Sequence, residues 1–218
     1  MPVDVKICGI RDEAALKAAA ENGARYVGFV FVSSSRHCIA PAEAGKLAAL
    51  VPDGVKTVGL FVDPDDATIR SVTGKARLDI IQLHGLETPE RVKEVRSLTG
   101  LPVMKAVHIA TEKDFADVPA YEAAADMLLF DTKTGPVPTG GTGKSFDWSL
   151  LKGRTFSLPW MLAGGINIGN IAEAVAITGA RTVDVSSGVE NHTGNKSPEK
   201  IEKLLGFARF YSFRSSPL

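Results

Sequence analysis

The sequence predicts an α/β protein whose alternating strands and helices close into a (β/α)8 TIM barrel of parallel strands, a single domain over residues 1–218. Three observations predict it. Eight short segments rich in β-branched residues recur about every 27 residues. Most of them are continuously apolar rather than alternating, the pattern of parallel strands covered on both faces. Helix start and stop signals lie between them. An open doubly wound sheet shares this alternation, but its GxGxxG turn is absent after the first strand, where Cys8-Gly9-Ile10-Arg11 stands instead.

The predicted strands are 3–7, 26–31, 57–62, 79–83, 103–107, 127–130, 160–163 and 182–185. Asp12 precedes an Ala-rich helix closed by Gly23, and Pro41 fits the first position of a helix over 42–50. Thr88-Pro89 and Gly100 bracket the next one. Thr111 with Asp114 forms a capping box, Asn167 is placed to cap a helix ending near Gly179, and Ser197-Pro198 opens the last. No linker or low-complexity stretch divides the chain.

Composition narrows the function classes. Lys+Arg 25 against Asp+Glu 25 gives no net charge, so no global field attracts nucleic acid or an anionic membrane. The two cysteines, Cys8 and Cys38, lack zinc-site spacing, and no metal is expected. The opening MPVDVKICGI is too short and charged for a signal peptide, and no apolar run reaches membrane-spanning length. A reduced, cytoplasmic setting is therefore expected. Gly143-Lys144-Ser145 ends like a phosphate-binding P-loop, but Pro138 occupies the first glycine position, which argues against ATP chemistry.

A barrel places its active site at the C-terminal ends of the strands, with side chains alternating inward and outward. Strand one groups Asp4, Lys6 and Cys8; strand four Ile80, Gln82 and His84; strand six Met127, Leu129 and Asp131; strand eight Asp184 and Ser186. Val and Ile on the opposite faces suit the helix layer, so these polar sets should converge inside. Lys6 and Asp184, on neighbouring strands once the barrel closes, either pair with each other or contact a ligand. Three glycine-bearing loops follow strands six, seven and eight: Gly140-Gly141-Thr142-Gly143, Gly164-Gly165 and Ser186-Ser187-Gly188. Their backbone N–H groups suit a phosphate.

Lys6-Ile7-Cys8-Gly9-Ile10, Gln82-Leu83-His84-Gly85, Phe130-Asp131, the three glycine loops and the run from Asp184 to Glu190 together resemble phosphoribosylanthranilate isomerase, from about residue 5 to the last helix. The resemblance implies a cofactor-free Amadori rearrangement of N-(5′-phosphoribosyl)anthranilate to 1-(2-carboxyphenylamino)-1-deoxyribulose 5-phosphate in tryptophan biosynthesis. It implies Cys8 as general base, Asp131 as general acid, and Arg36 as the residue that meets the anthranilate. Gly141, Gly143, Gly164, Gly165, Ser186, Ser187 and Gly188 would bind phosphate. Gln82, His84 and Asp184 are candidate substrate contacts, Gln82 and His84 alternatively orienting their neighbours. Where the family commonly shows Gly-x-Lys-Asp, this chain has Gly194-Asn195-Lys196-Ser197, and Ser can cap the last helix as Asp does.

The chemistry asks for an acid at the furanose oxygen and a base at C2′, and the imine formed on ring opening is the electron sink, so no metal is needed. A Cys normally titrating near ~8.5 must be available as thiolate, and an Asp near ~3.9 must hold a proton. Burial and the substrate's negative charges are expected to raise Asp131, and Lys6 or another nearby cation to favour the Cys8 thiolate. Cys38 is taken as nonessential. Segment 132–144, rich in Gly, Pro and Thr, is a lid candidate. Two other readings stay open: a histidine-pathway aminoaldose isomerase, which uses two aspartates where this chain has Cys8, and a non-catalytic phosphosugar-binding barrel. The expected partner is a small phosphosugar. Phe207, Phe210, Tyr211 and Phe213 leave monomer and homodimer equally open.

Overall fold

The computed structural model describes residues 3–133 and 145–214, the last four as backbone only. Eight parallel strands form a closed barrel in chain order. They are β1 (Asp4–Cys8), β2 (Tyr26–Val30), β3 (Lys56–Phe61), β4 (Ile80–Leu83), β5 (Val103–Ile109), β6 (Met127–Thr132), β7 (Trp160–Leu162) and β8 (Thr182–Val185). Closure is made by β1 on β8, with Lys6 opposite Asp184 and Val5 opposite Val183.

Helices α1 (Glu13–Glu21), α2 (Pro41–Ala48), α3 (Asp66–Thr73), α4 (Pro89–Thr99), α5 (Val118–Glu122), α6 (Ile171–Thr178) and α7 (Pro198–Arg214) surround the sheet. Among the described residues, the connection from β6 to β7 carries one short 3-10 turn, Trp148–Leu151. No helix among the described residues is long and apolar enough to cross a membrane.

The caps explain most helix starts. Asp12, Asp65 and Thr88 each accept the N–H three residues on, at 2.8, 2.8 and 3.3 Å. The Thr111–Asp114 box forms, but it opens a 3-10 turn, Glu112–Phe115, instead of a regular helix. Asn167 is not the cap of α6. Asn170 holds that position, and the Asn167 side chain instead braces the loop by donating to the Gly165 carbonyl at 3.1 Å. Ser197 caps α7 through a long 3.4 Å contact from the Lys200 N–H.

Two apolar layers separate cleanly. Val5, Ile7, Val27, Phe29, Ile81, Leu83, Phe130, Val183 and Val185 pack outward against the helices. Val58, Ile80, Met104, Ala106, Leu129, Met161 and Ala163 fill the barrel interior, with Cys8, Val30 and Leu60 forming a smaller cluster. The faces expected for strands one, four, six and eight are the ones observed. Some of the predicted strands stop short, however: β5 runs to Ile109 and β6 to Thr132, so His108 and Asp131 belong to the rigid wall.

Candidate active site

Cys8 is the last residue of β1, 5% exposed, on the interior face. Gly28 of β2 makes room for it: a Cβ there would lie 3.1 Å from Cys8 Sγ and 3.3 Å from Lys6 Cε. Below it, Lys6 Nζ lies 3.0 Å from Asp184 Oδ1, both buried, so the predicted pair is formed. Burial pulls Lys6 down, but the Asp184 carboxylate and Cys8 more than offset it and hold the ammonium above its ordinary range. Asp184 thereby answers most of the charge that Lys6 could offer to Cys8.

The thiol therefore stays protonated. Burial pushes Cys8 up, and Asp184 adds to it, while Lys6 and Lys196 only partly offset the rise. Lys6 and a second cation, Lys196, do favour the thiolate as expected, but desolvation outweighs them in the free protein.

Across the mouth, Asp131 lies near the end of β6. His84 Nε2 stands 3.2 Å from Asp131 Oδ2, and the Thr132 N–H donates to Oδ1 at 2.7 Å. Gln82 Nε2 lies 3.0 Å from His84 Nδ1, so an amide donating there leaves the imidazole proton on the nitrogen facing Asp131. His108 packs edge-on against His84, ring centres 4.9 Å apart, with its Nε2 3.0 Å from the His84 carbonyl. In the free site, burial alone does not give the rise expected of Asp131. Burial does push it up, but His84, then His108 and the Thr132 N–H, outweigh that and hold the carboxyl below its ordinary range. Gln82 and His84 here orient and polarise Asp131.

The ligand atoms of His84, His108 and Asp131 lie within 4.8 Å of one another, a set able to hold a divalent ion among the described residues.

The loops on the β7–β8 side shape the rest of the rim. Gly164 and Gly165 both have positive φ, 89° and 68°. A side chain at Gly164 would lie 3.1 Å from Asp131 Oδ1, so glycine lets this loop approach the acid. Gly188 sits in a short 3-10 turn, Ser187–Val189, where a Cβ would lie 2.9 Å from Asn167 Cα. Loops after strands seven and eight joined to a short extra turn are a recurrent phosphate cradle in barrels. Ser186 Oγ is held by Lys196 Nζ at 2.9 Å. Gly141, Gly143 and most of the 132–144 segment lie outside the described residues.

Arg36 stands on the loop after β2, more than half exposed, with Nη2 2.6 Å from Glu190 Oε2. Cys38 is exposed, apart from the Cys8 pocket. Sequence reasoning gave no role to His108, Glu190 or Lys196. His108 shares a face with Met104 and Ala106, so extending the strand by two residues would have found it. Glu190 and Lys196 lie within quoted motifs, but nothing in the sequence shows that the two meet.

The comparisons agree with this geometry. The family model for N-(5′-phosphoribosyl)anthranilate (PRA) isomerase matches residues 5–206. A Rhodospirillum centenum protein named N-(5′-phosphoribosyl)anthranilate isomerase is 55% identical over 212 residues, covering 95% of this chain and 99% of the relative. The Thermotoga maritima phosphoribosyl anthranilate isomerase structure superposes with a TM-score of 0.85 at 33% identity, covering 95% and 99% of the two chains. A structure of such an isomerase in complex with reduced 1-(o-carboxyphenylamino)-1-deoxyribulose 5-phosphate gives 0.82 at 32% identity, covering 95% and 99%.

Proposed function

This chain belongs to the N-(5′-phosphoribosyl)anthranilate isomerase family, and we propose that Cys8 and Asp131 divide its chemistry between them. The reaction is the Amadori rearrangement of N-(5′-phosphoribosyl)anthranilate to 1-(2-carboxyphenylamino)-1-deoxyribulose 5-phosphate in tryptophan biosynthesis. Asp131 gives a proton to the furanose oxygen as the ring opens to an imine. Cys8 then removes the C2′ proton to give the enolamine, which tautomerises to the ketone. Support comes from one observation above the others: a buried thiol and a buried carboxyl group face the same interior from β1 and β6, at the strand ends where barrel chemistry occurs.

Protonation fits this division in an unusual way. The free site holds a thiol and a carboxylate, whereas the working site needs a thiolate and a carboxylic acid. Both forms carry one proton between the two groups. A single proton shift interconverts them with no change in net charge, and bound substrate favours the acid form of Asp131 through its own anionic groups. Activity should thus fall on the acid side as Asp131 takes up its proton while Cys8 keeps its own. It should fall on the alkaline side as Cys8 loses its proton and none remains for the acid.

The phosphate would rest on Gly164, Gly165, Ser186, Ser187 and Gly188, and Arg36 would take the anthranilate carboxylate through its guanidinium fork. Asp184 would act on the ligand through Lys6. We place the reaction in the cytoplasm, with the phosphosugar as its only small-molecule partner. Freshly made phosphoribosylanthranilate tests the reading, because its fluorescence decays as it is consumed. Turnover is the expected result. Binding without turnover would leave a sequestering barrel, and turnover of the histidine-pathway aminoaldose alone would assign the other isomerase.

A further inference from the structure

Glu190 is buried at the rim just beyond β8 and holds two permanent cations. Its Oε2 accepts from Arg36 Nη2 at 2.6 Å, and its Oε1 from Lys196 Nζ at 2.7 Å. Its backbone carbonyl accepts from Lys200 Nζ at 2.6 Å. Arg36 reaches this carboxylate from the loop after β2, so a single side chain ties opposite sides of the barrel seam together. We infer that Glu190 is a positioning residue that couples recognition of the substrate's aromatic carboxylate at Arg36 to the charge environment of Cys8. The inference rests on the isomerase reading above.

The geometry on the Arg36 side sets one orientation. Arg36 Nε donates to His37 Nε2 at 3.2 Å, and Nη1 lies over Gly194, where a Cβ would be 3.0 Å away. Arg11 braces the backbone, donating to the Arg36 carbonyl at 2.8 Å and to Asn195 Oδ1 at 2.7 Å. His37 is pulled down to about 4, by burial first and then by Lys196, and Arg36 and Arg11 add to this against Glu190. It is therefore neutral and accepts from Arg36, so its 3.2 Å approach to Glu190 Oε1 adds no charge. Arg36 and Lys196 against Glu190 leave one positive charge in excess, which suits one incoming carboxylate.

The Lys196 side reaches the base. Lys196 is buried and also donates to Ser186 Oγ and to the Ser186 carbonyl. Its Cε would lie 3.3 Å from a Cβ on Gly9, the residue after Cys8. The charged groups that act on Cys8 are Lys6 on its own strand, Asp184 on β8 and Lys196 beyond β8, while Gly28 on β2 brings none. Glu190 therefore decides how much of the Lys196 charge the thiol feels. Removing that negative charge should loosen Arg36 and, separately, ease thiolate formation at Cys8.

The test is Glu190→Gln in a Cys38→Ala background, with two substrates and one thiol probe. For phosphoribosylanthranilate, KM should rise about tenfold, the size of a lost charge-assisted contact, with kcat changing much less. For phosphoribosylaniline, which lacks the carboxylate, KM should not move. Reaction of the Cys8 thiolate with methyl methanethiosulfonate, which forms a mixed disulfide and releases methanesulfinate, should show its pH midpoint shifted downward, and Glu190→Asp should restore it. An unchanged KM ratio between the substrates, or an unmoved thiol midpoint, overturns the inference. If Glu190→Gln does not fold, Lys196→Met reads the coupling from the other end. Its Cys8 midpoint should move upward, and an unmoved midpoint overturns the inference. A wild-type protein that leaves phosphoribosylanthranilate unconsumed would instead overturn the isomerase reading.

Discussion

The base side and the acid side of the mouth use opposite electrostatics. Around Cys8 stand charges engaged within the protein, Lys6 with Asp184, and Lys196 with a Glu190 that it shares with Arg36. Around Asp131 stand two imidazoles, His84 and His108, ordered by Gln82 and a backbone carbonyl. Charges so engaged barely favour the thiolate, so burial keeps Cys8 a thiol. Polarisable donors aimed at one carboxylate do more than burial undoes, so Asp131 rests ionised. A charge already paired is a weak lever on a third group, whereas an imidazole set 3.2 Å from a carboxylate, with no other acid beside it among the described residues, is a strong one.

The largest effects should come from removing the two reacting groups. Cys8→Ala and Asp131→Asn should each lower kcat by about 10²–10⁴-fold, the usual contribution of a general acid or base. Binding of a phosphorylated product analogue should stay largely intact, as calorimetry would show. Loss of that binding instead would make Cys8 or Asp131 a structural part of the phosphate cradle.

Next in size is the charge beneath the base. Lys6→Met strands a buried Asp184 carboxylate, and Asp184→Asn strands a buried ammonium, each costing about 3–5 kcal/mol in stability. Urea unfolding checks this, and a double substitution much milder than either single change would mark the pair as mutually required. Because burial pulls Lys6 down but Asp184, with Cys8, more than offsets it and holds the ammonium above its ordinary range, the pair's contribution is full below the unfolded lysine value. It is lost only as pH rises through the folded one.

The fold was legible because barrel strands, covered on both faces, read as continuous apolar runs, and because a strand's period of two assigns Lys6, Cys8, Gln82, His84, Asp131 and Asp184 to one side. The partners that set their charge were not. His84 and Asp131 are far apart in sequence, as are Arg36 and Glu190, and only closure of the ring brings each pair together. The sign of the Asp131 shift in the free site was hidden for that reason: burial is readable from a strand end, but the direction of a neighbouring imidazole is not. The Asn167 cap failed similarly, since Asn167 and Asn170 are equally good capping residues and the glycine loop between β7 and α6 decides which one is used.

Smaller effects sharpen the contrast. His84→Asn removes the main group that lowers Asp131, so the acid limb of kcat/KM should move to higher pH while the alkaline limb, set by Cys8, stays in place. Movement of both limbs together would mean the two sides do not titrate independently. Gly28→Ala would press a methyl group against Cys8 Sγ and Lys6, costing about 1–3 kcal/mol of stability and slowing turnover. The smallest effect is expected from Cys38→Ala. As an exposed site away from the interior, it should shift unfolding by less than about 0.5 kcal/mol and leave turnover unchanged.

The most direct test is the pH dependence of kcat/KM in the wild type and in Asp131→Asn, from about pH 3 to about pH 11, beyond both reference values because Asp131 lies below its own and Cys8 above. One proton shared between Cys8 and Asp131 predicts two limbs in the wild type; in the variant the residual activity needs only the Cys8 thiolate, so the alkaline limb is lost and the acid limb moves up to the ionisation of Cys8. An acid limb that persists unchanged in Asp131→Asn would contradict the assignment of Asp131 as the proton donor.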